Sequence, residues 1–481
     1  MSAGFSSVQV SVLNFSELFE SHPDPIAVDT YQRGFVWSDE KIRQLIDDLT
    51  DYQAVIDSKL PYYMGTVLVH VHGPKARRFI IDGQQRLTAL CVLHNNLTGK
   101  IPTNCALTYA PKSARRIRAA QKLFEQNPGC VDASIFRKIV FTVLCVERVD
   151  LAFTFFDTQN NRGVPLQTTD LLKAYHLRAV DGEALQTLCA KRWEVIQQGS
   201  PVISRDLDFA ACLFSKFLWR SRFWIGGRMT SGTHDALLDA FQKQTVRSQG
   251  YNDTIPLYRA SHNRLGTALT FNPEGYCEIH ANQIPIRPEP ERMPFSIRQP
   301  IHEGIGFFLY TEKYAALLRA LVVVNPPKST EVLRFREVYD ELMKANSLFL
   351  REIFLLASLM YVDQFDDERL WEFSLWLEHA LGEIRLDKQQ VRYEAAQNFF
   401  KKNGLNLLDI IAGAFRPEQV IAHLGTNHTA SKTYANETIE AGKGVRGAYK
   451  QAVLAYYGRV TVTSLAGKEG WITSKLKEAA P

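Results

Sequence analysis

The chain has 481 residues, 46% of them hydrophobic and 22% charged, with a formal charge of +5. That length exceeds one ordinary core and predicts roughly two to four domains. The composition can close a core and keep a wet surface, which sets disorder aside, while so small a net charge neither demands nor excludes a nucleic-acid partner.

Seven cysteines, Cys91, Cys105, Cys130, Cys145, Cys189, Cys212 and Cys277, form no Cys-x-x-Cys pair and are odd in number. Reduced, packed thiols in a cytoplasm are expected, without a disulfide framework. The opening MSAGFSSVQV lacks the basic start and long apolar run of a signal peptide, so export is not expected. Leu348 to Val362 is the most apolar stretch, but Arg351 and Glu352 interrupt it. It is shorter than the roughly 20 residues a bilayer requires and reads as a buried helix, so no membrane partner is expected.

In chain order, Ile42, Leu45, Ile46 and Leu49 fall at helical spacing behind Ser38, Asp39 and Glu40, which supply a cap and an acidic first turn. Two strands follow, Tyr63 to Val71 and Arg78 to Asp82, around a His72-Gly73-Pro74 turn. The second runs through Gly83 into a helix, Gln84 to Leu97. Lys138 to Val149 reads as β-rich, Leu151 to Thr158 as helical, and Asn160-Asn161-Arg162-Gly163 as a turn. A further helix starts near Thr168 or Thr169, either of which can cap it. From there the chain reads as mostly helical. Pro285, Pro288, Pro290, Pro294 and Pro300 interrupt regular structure over Ile284 to Pro300, the best linker candidate. Beyond it Ser329 to Met343, Leu348 to Val362, Glu368 to Ile384 and Lys388 to Lys402 read as helices, and the stretch from about Arg416 as less regular.

Two clusters are basic. One is Lys112, Arg115, Arg116, Arg118 and Lys122. The other is Lys443, Arg446, Lys450, Arg459, Lys468, Lys475 and Lys477, opposed only by Glu469 and Glu478. Either can contact phosphate; a solvated helix face is the ordinary alternative.

The most informative segment is Ile80-Ile81-Asp82-Gly83-Gln84-Gln85-Arg86-Leu87-Thr88, a strand that ends in polar residues at the entrance to a helix. The N–H groups and positive end of that helix can face an anion. Gly83 permits close backbone approach, Arg86 offers a planar fork for phosphate, and Asp82 can hold a metal ion or orient water. Gln84 and Gln85 can position a nucleophile or bond a base. Locally, a structural helix cap fits equally well. Tyr31-Gln32-Arg33-Gly34-Phe35-Val36-Trp37 sets an arginine and a glutamine among aromatics, or is a surface loop anchored by Phe35 and Trp37. Asn160 to Leu166 followed by Asp170-Leu171-Leu172-Lys173 offers amides and an Asp/Lys pair one turn apart, or is a turn with a surface ion pair.

Taken in order, Tyr31-Gln32-Arg33 with Trp37, Gly65-Thr66, Asp82 to Thr88, Asn160-x-Arg162-Gly163 and Asp170 to Lys173 resemble the N-terminal domain of GmrS-type proteins of the GmrSD restriction system, over roughly residues 10 to 180. The resemblance implies an α+β chain: a small mixed-sheet domain akin to ParB and sulfiredoxin, followed by a mostly helical region. It implies that Asp82, Gly83, Gln84, Gln85 and Arg86 form a nucleotide pocket, with Asp82, Gln85 and Arg86 catalytic. Tyr31, Gln32 and Arg33 would line it, Thr88 would assist, and Asn160, Arg162, Asp170 and Lys173 would complete it from the other side. The cofactors implied are a nucleoside triphosphate, GTP, ATP or CTP, and Mg²⁺.

Many such proteins are fused to or paired with an HNH-type nuclease, which needs a histidine base beside metal ligands. No such arrangement is present in the C-terminal half. His379 lies in a helical pattern, and His423 and His428, five apart on a loop reading, are the remaining candidates. The division expected is a nucleotide-binding domain over 1–180, a helical extension over 181–283 and a mostly helical domain over 301–481. The function expected is an NTP-binding and NTP-hydrolysing subunit of a prokaryotic anti-phage restriction system that senses or acts on DNA. Its partners would be DNA, a nuclease subunit supplied in trans and a second copy of itself. A ParB-like, nucleotide-switched DNA-binding protein without turnover is the alternative, and a self-contained metal-dependent nuclease a further one.

Overall fold

The first turn of the fold is set by a reciprocal cap: the Asn14 side chain accepts from the Glu17 N–H and the Glu17 carboxylate accepts from the Asn14 N–H, both at 2.9 Å. This capping box ends strand β1 (Val8–Asn14) and starts helix α1 (Phe15–Glu20), which buries Phe15, Leu18 and Phe19. Ser38 likewise caps α2 (Asp39–Ala54), whose buried face is Ile42, Leu45, Ile46 and Leu49. The computed structural model describes residues 8–28, 32, 34–55, 60–72, 77–109, 111–127, 129, 131–147, 167–197, 208–247, 255, 258, 267–271, 277–281, 290–401, 405–427 and 432–479. The Gly73-Pro74 turn, the helical reading of 151–158 and the Asn160 to Gly163 turn lie outside the described residues.

The chain divides into two units, residues 1–170 and 171–481. Unit 1 is built on a six-stranded mixed sheet in the order β1-β6-β3-β4-β2-β5. Besides β1 its strands are β2 (Ile26–Val28), β3 (Tyr62–His72), β4 (Arg77–Asp82), β5 (Cys105–Ala106) and β6 (Ile139–Val146). β1 runs antiparallel to β6, β3 parallel to β6 and antiparallel to β4, and β2 parallel to β4 and β5. Alternate residues of β6, Ile139, Phe141 and Val143, join Val67, Val69 and Ile80 in one core. Leu87 and Leu90 of α3 (Gln84–Thr98) and Ala120, Leu123 and Phe124 of α4 (Pro111–Glu125) complete it. The chain is therefore α+β, with helices packed on a mixed sheet at the N-terminal end and a mostly helical second unit.

Among its described residues unit 2 is mostly helical, with one hairpin, Thr267–Phe271 with Cys277–Ala281. Its most apolar helix, Leu348–Phe365, is buried along almost its whole length. No helix among the described residues is long and apolar enough to cross a membrane. The proline-containing stretch 290–300 is packed into this unit: Lys313 and Tyr314 donate to the Phe295 carbonyl, and the Ile297 N–H donates to Asp363 at 2.9 Å. From Arg416 onward the chain is more regular than its sequence suggests, forming helices Pro417–Asn427, Gly444–Tyr456 and Lys468–Glu478. In the last two of these the apolar period is disguised because a buried position of each is a lysine. Lys450 donates to the Ile439 and Thr463 carbonyls, and Lys468 meets Glu378 at 2.6 Å with both side chains fully buried. Tyr449 donates to the other Glu378 oxygen, in the space that Gly382 leaves by lacking a side chain.

A second buried polar group contributes to the acid sensitivity of unit 2. His176 is enclosed against the Phe307 ring at 3.6 Å, with Nε2 2.7 Å from the Phe241 carbonyl and the Gly304 N–H donating to Nδ1. The ring is thus held neutral, and burial pushes its pKa down to about 3. The unfolded chain protonates the same ring near 6.5, so the stability His176 confers is complete above that pH and is lost as pH falls toward 3. Urea unfolding of wild type is expected to lose up to about 1.4 kcal/mol per pH unit between pH 6 and 4 from this group. His176→Gln, which cannot titrate, should show a correspondingly shallower dependence; equal slopes would refute the assignment.

Candidate functional site at the junction of β4 and α3

The buried run Phe79 to Ile81 carries β4 to the polar end of the strand, where Asp82 is about one-third exposed. Gly83 then turns the chain into α3 with φ +90°. A side chain there would strain the backbone and come within 3.0 Å of Val67 on β3, so the position requires glycine. Gly83 brings no side-chain cap, and the first turn of α3 carries no acidic residue. The positive end of the helix therefore carries no anionic group within its own first turn.

Arg86, one turn into α3, reaches across to β3. Its Nη1 donates to the Met64 carbonyl and its Nη2 to the Thr66 carbonyl, both at 2.7 Å, and Nη2 lies 3.7 Å from the Asp82 carboxylate. Between those carbonyls Gly65 adopts φ +101°, where a Cβ would fall 2.1 Å from Nη1, and the register of β3 against β6 shifts. The guanidinium thus occupies the notch of a β-bulge and uses two of its five N–H groups there. Gly65→Ala is expected to displace Arg86 and cost about 1–3 kcal/mol through backbone strain alone, read as a lower urea midpoint. An unchanged midpoint would mean that the bulge relaxes freely.

Gln85 holds a strap formed by residues 34–36: its Nε2 donates to the Gly34 carbonyl at 3.0 Å and its Oε1 accepts from the Val36 N–H at 2.8 Å. From the other side, Ser113 Oγ accepts from the Phe35 N–H at 3.0 Å and Arg116 donates to the Val36 carbonyl at 2.6 Å. The N-terminal parts of α3 and α4 therefore grip one segment between them. Gln32 is buried and donates to the Ile80 and Ile81 carbonyls at the end of β4, which places Gln32 beside the junction. Gln84 donates to the Tyr109 hydroxyl at 3.3 Å, and Thr88 bonds both that hydroxyl and the Gln84 carbonyl. Burial pushes the Tyr109 pKa up to about 12, so the phenol stays protonated as a fixed partner.

Thus Asp82, Gly83, Gln84, Gln85, Arg86, Thr88 and Gln32 come together at one junction. Tyr31, Arg33, Asn160 and Arg162 lie outside the described residues. Asp170 accepts from the Gln167 N–H at 3.3 Å and ends unit 1. Lys173 belongs to unit 2, where it is buried and lies 3.8 Å from Glu194. His379 is buried in the helix Leu370–Asp387, stacked on Tyr434. His423 sits half-buried in the helix Pro417–Asn427 rather than on a loop, and His428 lies outside the described residues. Among the described residues no group of three or more His, Cys, Asp or Glu could hold a metal ion. Sequence reasoning missed Tyr109, Ser113 and the strap-holding role of Arg116. Their contacts to 34–36 and 84–88 span about 20 to 80 residues of chain and carry no local signal.

Two known families match parts of this chain. Residues 15–177 match the GmrSD restriction endonuclease, N-terminal domain, and unit 1 is a domain of that type. Residues 185–441, more than half of the chain, match a family of unknown function (DUF7834), and the chain belongs to that family. No curated protein matches it.

Proposed function

We propose that unit 1 binds a nucleoside triphosphate, GTP, ATP or CTP, with its phosphates at the start of α3, and hydrolyses it. The chain would do so as a cytoplasmic subunit of an anti-phage restriction system that senses or acts on DNA. The observation that carries this reading is the junction itself: an uncapped helix start, a glycine with φ +90°, an arginine and a part-exposed carboxylate, all within unit 1. Such an arrangement supplies donors for phosphate oxygens and little else, which suffices for phosphoryl transfer, where positioning and electrostatics dominate.

Asp82 is the carboxylate that would hold Mg²⁺. That ion takes one or two carboxylates together with phosphate oxygens and water, so a single acid at a strand end fits it. When bound, the ion would offset phosphate charge. Arg86 would turn its remaining N–H groups to the phosphates, while Gln85, bonded at both ends to the strap, positions residues 34–36. Asn160, Arg162 and Asp170 would complete the pocket, whereas Lys173, buried beside Glu194 in unit 2, is left out of it. The helical second unit would transmit the nucleotide state or dock a nuclease acting in trans.

The anchoring of Arg86 on β3 favours one second reading, a switch without turnover, in which nucleotide draws Arg86 out of the bulge and changes the strand. Purified protein given each NTP with Mg²⁺, with and without phage DNA, separates the two. Phosphate release is the expected result. Saturable binding of a fluorescent analogue without release supports the switch. Neither binding nor release with any nucleotide would overturn both.

A further inference from the structure

The outer face of α4 carries a row of cations that no ion pair neutralises among the described residues. Arg115, Arg118 and Lys122 are exposed and follow one another at i, i+3 and i+7, so they line one side of the helix over about 10 Å. The opposite side is the buried one, with Ser113, Ala120, Leu123 and Phe124. Among the described residues no ion pair joins any of the three to a carboxylate. That holds although α2, which packs against α4, carries exposed Asp47, Asp48 and Asp51. Glu125, the acid nearest the row in sequence, accepts a hydrogen bond from Gln121. In unit 2, by contrast, Lys216, Arg220, Arg298, Lys313, Arg369 and Lys468 all have carboxylate partners.

Like charges three and four residues apart repel by a few tenths of a kcal/mol per pair, a standing cost that a bound polyanion would relieve. Between the cations the row offers only Ala119 and no aromatic or large aliphatic anchor, so it lacks the apolar centre on which protein interfaces depend. Arg116, at the edge of the row, is committed instead to the Val36 carbonyl.

We propose that Arg115, Arg118 and Lys122 are a contact for the phosphate backbone of duplex DNA. The proposal rests on the reading that this protein engages DNA and adds where it does so. Three side-chain cations on one helix position a duplex without reading its bases, so binding through them is independent of sequence. The row shares α4 with Ser113 and Arg116, so DNA lying there bears on the helix that grips the strap beside the α3 start.

The test is fluorescence anisotropy of the full chain on a duplex of roughly 25 base pairs across a salt series, comparing wild type with the triple variant R115A/R118A/K122A, Arg116 being kept. Loss of three phosphate contacts should make the plot of log affinity against log salt shallower by about 2–3. Binding should weaken equally for unrelated sequences, and Arg115→Gln alone should reduce the slope by about 1. Circular dichroism and the urea midpoint should match wild type or show slight stabilisation. A triple variant that binds duplex with wild-type affinity and slope overturns the α4 assignment and leaves the DNA reading standing. Wild type that binds no duplex at any salt overturns that reading and the row with it. Binding that the row supports for single-stranded RNA or anionic vesicles but not for duplex also overturns the proposal.

Discussion

Asp82→Ala is expected to lower nucleotide-dependent phosphate release at least about 100-fold while leaving urea stability within about 0.5 kcal/mol of wild type. The side chain is part-exposed, and its ion-pair distance to Arg86 is 3.7 Å, a contact that contributes little to folding. The Gly83 turn, the α3 start and the strap are held by other groups, so the variant removes a carboxylate without loosening the frame. Arg86→Ala differs: it also abandons the Met64 and Thr66 carbonyls, and an accompanying stability loss of about 1–3 kcal/mol would blur its kinetic meaning. Phosphate release by Asp82→Ala within a few-fold of wild type would move the chemistry away from this junction. Asp82→Asn, which keeps the shape and loses the charge, would separate a charge requirement from a steric one.

Lys468→Met is expected to destabilise unit 2 by about 3–5 kcal/mol, because it strands the Glu378 carboxylate in a fully enclosed site. Besides the lysine, that carboxylate has the Tyr449 hydroxyl as its hydrogen-bond partner, and one neutral donor does not stabilise a buried anion. The double variant Glu378→Gln/Lys468→Met should recover more than half of the loss, since the amide still accepts from Tyr449 and no charge remains buried. Urea midpoints of the two variants decide the point. A double variant no better than the single would mean that Lys468 acts through its packing over the Tyr434 and Tyr449 rings rather than through its charge.

Much of unit 1 was legible because its signals are local. The Ser38 cap and the Ile42, Leu45, Ile46, Leu49 spacing set α2, and alternation around a turn set β3 and β4. The passage from Ile81 to Thr88 could be read as strand, glycine and helix because each residue's conformational demand is met by its immediate neighbours. The mostly helical second unit followed from periodicity in the same way.

Elsewhere the deciding partner is distant in sequence. β1 alternates valines as a strand should, yet the chain gives no sign that it pairs with β6, some 130 residues on, with Val10 and Val12 left exposed. The helices Gly444–Tyr456 and Lys468–Glu478 were hidden because Lys450 and Lys468 stand where an apolar residue is expected. Their burial is tolerable only because carbonyls and Glu378 arrive from other elements. The same holds at the junction. The sequence by itself determined that Asp82, Gly83 and Arg86 meet at a helix entrance, since a strand, a glycine with positive φ and a helix start are properties of adjacent residues. Only the tertiary structure decided that Arg86 lies in the Gly65 bulge and that α3 and α4 hold one strap, because those bonds exist only where separate elements are brought into contact.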